Sequence, residues 1–194
     1  MKFKDALLST LIIEVGVALL AVINYGATLE SLQTVTRFSG RASLAIFSLI
    51  FLFHNHRYLP VKKILSDHYY SIFAIAHAIH LIQLVCYVYL SGNELIPLRL
   101  LGGFLAYALI FAMPFAQHLF ENERLSIKIY STLTLIYLYY VWFIFFMSYL
   151  PRVRGELPHV GGSYSEFVIL LAWVSFMMGI KLQALIMSKI SFRK

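Results

Sequence analysis

Charge is what this sequence most lacks. Asp, Glu, Lys and Arg make up 13% of its 194 residues, while 60% are hydrophobic and the mean hydropathy is +0.78. Soluble domains carry about 25% charged residues, so this composition cannot cover a water-facing surface. Cysteine is nearly absent. Cys86 stands alone, which excludes an intrachain disulfide, and its place in an apolar run reads as a small packing residue rather than a nucleophile. No glycine-rich fingerprint follows a strand, so a nucleotide-binding domain would have to come from a partner. The net charge of +7 has no basic cluster or motif behind it, and no nucleic-acid partner is expected. Linkers, repeats and low-complexity tracts are missing too. The longest connection runs from His54 to His68, and a single domain is expected over residues 1–194.

What the chain does have is long apolar runs. Six are expected as membrane-spanning helices over residues 5–27, 40–59, 68–90, 98–120, 127–150 and 166–187. Most approach the ~20 residues that cross a hydrocarbon core. The second is short at Gly40–Phe53 unless it extends through His54–Leu59. Helices are the default because a bilayer leaves no water for unpaired backbone groups, and the alternation of a barrel strand is absent. The expected fold class is all-α, a six-helix transmembrane bundle. The first run does not read as a signal peptide: it is long, Glu14 interrupts it, and the chain begins at Met1.

Lys and Arg in the flanks set the orientation. One side carries Lys2, Lys4, Arg57, Lys62, Lys63, Arg124, Lys128, Lys189, Arg193 and Lys194, and the other Arg37, Arg41, Arg99, Arg152 and Arg154. Positive charge favours the cytoplasmic side, which places both termini there. The bilayer is the main partner, and a bacterial inner membrane is the expected location.

Polar groups at membrane depth are costly and are functional candidates by default. His77 and His80 lie three apart on one helix face. At 1.5 Å per residue they sit roughly 15 and 20 Å beyond Asp67. There they suit metal or haem ligation, proton relay or an interhelical hydrogen bond. His54, His56, His68 and His118 fall at the cytoplasmic ends of helices two, three and four. They are a candidate metal group, although His-Asn-His is no recognised metal spacing. Glu14 lies inside the first run; it is expected either to be protonated or to pair with Arg37, Arg41 or a histidine, and a proton-relay role is open to it. Lys181 is expected to snorkel, Gln83 and Gln117 to bond between helices, and Pro114 to kink the fourth helix. The aromatic fifth run and the polar loop of residues 151–163 read more readily as packing and connection than as a site.

The order of features in runs two to four resembles the ferric reductase-like transmembrane family. Phe38-Ser-Gly-Arg-Ala-Ser-Leu44 opens the second run, His54-Asn-His-Arg-Tyr-Leu-Pro60 closes it, and Phe73-Ala-Ile-Ala-His-Ala-Ile-His80 fills the third. The resemblance spans residues 36–150. It implies a haem-b electron-transfer subunit with a soluble or membrane redox partner, and makes His80 the matching ligand with His77 as the fallback. The family's fifth-helix histidines are absent, and alignment puts Thr134 and Met147 in their places. Methionine is a known axial ligand, so Met147 joins the candidate set.

Three readings follow: a haem-b subunit holding at most one haem, a non-redox transporter or scaffold, and a histidine–metal membrane enzyme. No catalytic residue is assigned.

Overall fold

The computed structural model describes residues 3–53, 68–92, 97–157 and 161–191. Among them are six helices long and apolar enough to cross a membrane. They are α1 (Phe3–Tyr25), α2 (Leu29–Phe53), α3 (Tyr69–Ser91), α4 (Pro97–Glu121), α5 (Ile127–Val153) and α6 (Tyr164–Ser191). No strand occurs among the described residues. The chain is an all-α integral membrane bundle. The even number of crossings among the described residues leaves the start of α1 and the end of α6 on one side.

The helices start and stop on local signals. Ser126 caps α5 by accepting a hydrogen bond from the Ile129 N–H at 3.4 Å, which satisfies one of the orphan donors of a first turn. At the end of α3, Gly92 turns left-handed at φ 64°, a conformation glycine adopts without steric cost. Pro114 is accommodated within α4, which continues past it to Glu121.

α2 differs most from the sequence expectation. It begins at Leu29, eleven residues before Gly40, and takes in Arg37 and Arg41. Its first half is too polar to read as a span. That polarity faces inward instead, with Ser31, Thr34, Thr36, Ser39 and Ser43 all buried. Half of its membrane-crossing window is buried inside the bundle, against 17% for α1 and α6. α2 is therefore the central post. It touches α1, α3, α5 and α6, and the arc closes through α3–α4–α5–α6 contacts.

Apolar burial does not drive helix association inside lipid, so close packing and interhelical hydrogen bonds must hold the arc together. Trp142 Nε1 donates to the Val174 carbonyl at 2.9 Å, tying α5 to α6, and the Tyr140 hydroxyl donates to the Gly102 carbonyl at 3.2 Å, tying α5 to α4. At the far end of α2, Lys181 Nζ donates to the Leu52 carbonyl at 3.3 Å and lies 5.6 Å from the centre of the Phe51 ring. Lys181 thus reaches the C-terminal end of α2, where cations are favoured. The centre is an aromatic stack. Phe47 lies 5.7 Å from Phe73 and 5.3 Å from Phe145, and Tyr137 meets Tyr70 edge-on at 5.2 Å.

Candidate anion site

A half-open cavity of about 230 Å³ lies among α2, α3, α5 and the start of α6. Its walls carry Arg37 and Arg41 of α2, His80 of α3, Tyr149 and Arg152 of α5, and Phe167 of α6. These come from the first half of α2, the later part of α3, the end of α5 and the first turn of α6. All lie towards the side that bears the α1–α2 and α5–α6 connections, opposite the chain ends.

The helical repeat explains the gathering. Arg37 and Arg41 are four apart, as are Phe145, Tyr149 and, with Ser148, Arg152, so each set shares one face. Gly40 stands between the two arginines. A β-carbon there would come within 3.0 Å of His80 Cε1. Glycine thus lets the imidazole lie against the α2 backbone at the cavity wall. The ring also bonds the Thr36 backbone, while its Nδ1 is buried with no partner.

Three guanidinium groups face one carboxylate. Arg41 Nη2 lies 2.8 Å from Glu166 Oε2. Arg152 donates to the Ser148 carbonyl one turn back in its own helix. The Nε of Arg37 is buried and without a partner. Glu166 also lies close enough to Arg37 to feel its charge, so one carboxylate serves Arg37 and Arg41, while Arg152 forms no ion pair among the described residues. Buried charge without a counter-charge is expensive, and a forked guanidinium suits carboxylate or phosphate. Leu84, Phe145 and Phe167 add apolar wall. Guanidinium groups and apolar side chains thus line the same cavity.

A short outer segment covers one edge. Gly161 and Gly162 have φ of 64° and 90°, and a β-carbon on Gly162 would fall 2.7 Å from Arg37 Nη1. Both φ values lie in the left-handed region that favours glycine. The Ser163 N–H then donates to Glu166 Oε2 at 3.0 Å, which holds the carboxylate at the rim.

The expected site residues scatter around this cavity. His80 lines it. His77 lies one turn deeper, its ring 5.5 Å from His80 and 4.9 Å from Tyr107, and its Nδ1 is also buried without a partner. Met147 does not join them. It is 42% exposed on α5, two residues from both Phe145 and Tyr149, which turns it roughly 200° from the cavity-lining face. His80 and Met147 therefore do not fit as the two axial ligands of one haem. His68 precedes α3 and His118 lies in the last turn of α4. His118 contacts Asn122 at 3.3 Å. His54 and His56 lie outside the described residues, and no metal-holding group of three or more His, Cys, Asp or Glu occurs among the described ones. Glu14 is buried, but it meets Ser39 and Gln83 rather than an arginine or histidine. Gln117 bonds Glu121 within its own helix.

Arg37, Arg41, Arg152 and Glu166 went unread as a site because three were counted as flank charges and the fourth as the start of a span. The four-residue spacing of Arg37 and Arg41 beside a serine-rich face was the available signal. Comparisons with protein-family models, curated proteins and solved structures find no match, so the ferric reductase-like resemblance rests on the residues quoted for it.

Proposed function

We propose that this protein is a carrier for a small organic anion of the carboxylate or phosphate class, seen with its pocket open to the non-cytoplasmic side. The observation that carries this is the cluster of Arg37, Arg41 and Arg152 against the single Glu166 around a 230 Å³ cavity. Beneath the pocket, Phe145, Phe47, Phe73 and Tyr137 close the path towards the other side. A pocket open on one side and plugged on the other is one half of an alternating-access cycle.

The charge count supports the orientation. Arg37, Arg41 and Arg152 line the pocket and are not topology signals, which leaves Arg99 and Arg154 as the basic residues of the outer flanks. The excess on the chain-end side grows, placing both termini in the cytoplasm. A bacterial inner membrane is the setting we propose, and the charge bias bears on orientation alone.

Binding to the purified protein is the test. Succinate and inorganic phosphate should raise its unfolding temperature. Arg37→Ala and Arg152→Ala should each weaken binding by roughly tenfold to a hundredfold, since hydrogen bonds to charged groups contribute about 1.5–3 kcal/mol. If no carboxylate or phosphate binds, the carrier reading falls and a scaffold role takes its place.

A haem-b electron-transfer subunit is the second reading. It is favoured by the buried, unpartnered Nδ1 atoms of His77 and His80, which could hold iron. A bound haem would supply one-electron chemistry, and a redox partner would supply the electrons. The absorbance spectrum of the same preparation decides it: no Soret band after expression in haem-replete cells sinks this reading.

A further inference from the structure

α1 is the helix most given over to lipid, and its inward stripe is narrow. Leu8, Ile12, Ile13, Val15, Leu19, Leu20 and Ile23 are exposed, and Thr10, Glu14 and Ala21 are buried. Glu14 is 4% exposed near the middle of the span. Its Oε1 accepts from the Ser39 hydroxyl at 2.9 Å and its Oε2 from Gln83 Nε2 at 3.4 Å. Both donors are neutral. No ion pair to Glu14 occurs among the described residues. A membrane-buried carboxylate without a fixed counter-charge needs a mobile one.

The identity of that counter-ion follows from the donor set. Calcium takes about six to eight oxygens. Around Glu14 the structure offers its own two, the Ser39 hydroxyl, and Gln83 Oε1, which is buried and unpartnered. A proton needs one oxygen. α1 packs on α2 and α3. On those helices the other charged or titratable groups near this level are Arg37 and Arg41, His77 and His80, and Cys86 and Tyr87, one turn beyond Gln83, with the Tyr87 hydroxyl accepting from Gln33. Arg37, Arg41 and His80 line the anion cavity, and His77 packs between Phe73 and Tyr107.

The position of Glu14 matters as much as its chemistry. Ser39 faces Glu14 and the next residue, Gly40, rests on His80 at the cavity wall. Gln83 faces Glu14 and lies one turn from His80. The same α2–α3 wall thus has the carboxylate on one side and the arginine pocket on the other.

We propose that Glu14 binds a proton that travels with the anion, making the carrier an anion–proton symporter. The coupling rests on the anion-carrier reading; the proton site does not. Each cycle picks up one proton on a Glu14 carboxylate oxygen from the outer side and releases it from the same oxygen on the cytoplasmic side. Ser39 and Gln83 are positioning residues that hold the carboxylate. An anion moving inward against an inside-negative potential is opposed by it, and a co-carried proton offsets one charge.

The test uses the full chain in proteoliposomes loaded with a pH-indicating dye, with succinate added outside. Wild-type protein should acidify the lumen as succinate enters. Glu14→Gln should lose this acidification, Glu14→Asp should keep part of it, and Glu14→Gln in detergent should still bind succinate. Unchanged acidification by Glu14→Gln overturns the proposal while the anion reading stands, as does uptake driven by sodium and indifferent to pH. If wild-type protein binds no succinate or phosphate, the anion reading and its coupling fail together, and difference infrared spectroscopy still decides the proton site. A protonated-carboxyl band lost in Glu14→Gln supports it. Absence of such a band in the wild-type protein overturns it.

Discussion

At the scale of single residues, Glu166 stands where an incoming carboxylate would bind. It takes up Arg41 at 2.8 Å, yet its side chain is 40% exposed. Ion pairs this exposed contribute about 0–1 kcal/mol, so the bundle loses little when the pair opens. For an anion, however, the carboxylate is both a competitor for Arg41 and a like charge at the entrance. Glu166→Gln is therefore expected to tighten succinate binding by roughly three- to tenfold, equivalent to about 0.7–1.4 kcal/mol, with unfolding temperature nearly unchanged. Calorimetric titration of the variant against wild type measures both. Weaker binding would mean that Glu166 orients Arg41 for the ligand rather than competing with it. Histidines and a buried acid stand out in so apolar a sequence, so His77, His80 and Glu14 were legible as candidates. The arginines were not, because a basic residue near a helix end looks the same whether it faces headgroups or a cavity.

At the scale of the element, α2 shows how membrane burial reverses the usual pattern. Polar residues on a soluble helix mark its water face; here Ser39, Ser43 and Ser48 mark the inside. Small side chains let neighbouring backbones approach. Ser48 uses its hydroxyl, donating to the Leu44 carbonyl at 2.7 Å and accepting from Trp173 Nε1 at 2.9 Å. Ser43 does not: its hydroxyl is fully buried and has no partner. An unsatisfied buried hydroxyl costs about 1–3 kcal/mol, whereas alanine keeps nearly the same volume. Ser43→Ala should therefore stabilise the protein by about 1 kcal/mol, read as a higher unfolding temperature. A loss of stability would show that the hydroxyl is satisfied, for example by a buried water. The five lipid-facing helices could be read from their apolar runs to within a few residues. α2 could not, because its first eleven residues carry Glu30, Gln33 and Arg37. Their helical state depends on partners that a local window does not contain, such as the Gln33 amide donating to the Tyr87 hydroxyl at 2.8 Å.

At the scale of the whole molecule, the direction of any transport depends on which side the pocket faces. The six-helix count fixes only that both chain ends share a side, and charge bias supplies the rest. Chemical labelling can check it directly. Cys86 is the native cysteine and is exposed on α3, so it is first replaced by serine. Single cysteines then go at Ser165, exposed at the start of α6, and at Glu121, exposed at the end of α4. On intact cells a membrane-impermeant maleimide should modify Ser165→Cys, and should reach Glu121→Cys only after lysis. Those positions lie at opposite ends of the bundle, so each controls for the other. The reverse pattern would turn the arginine pocket to the cytoplasm. A carrier so placed would load its anion inside, and the Glu14 proton would leave the cell with it. Succinate and phosphate would then have to be supplied on the side of the chain's loops in whichever orientation the vesicles hold. Binding in detergent would be the same in either case, because the pocket's chemistry is set by Arg37, Arg41 and Arg152 and not by the membrane around them.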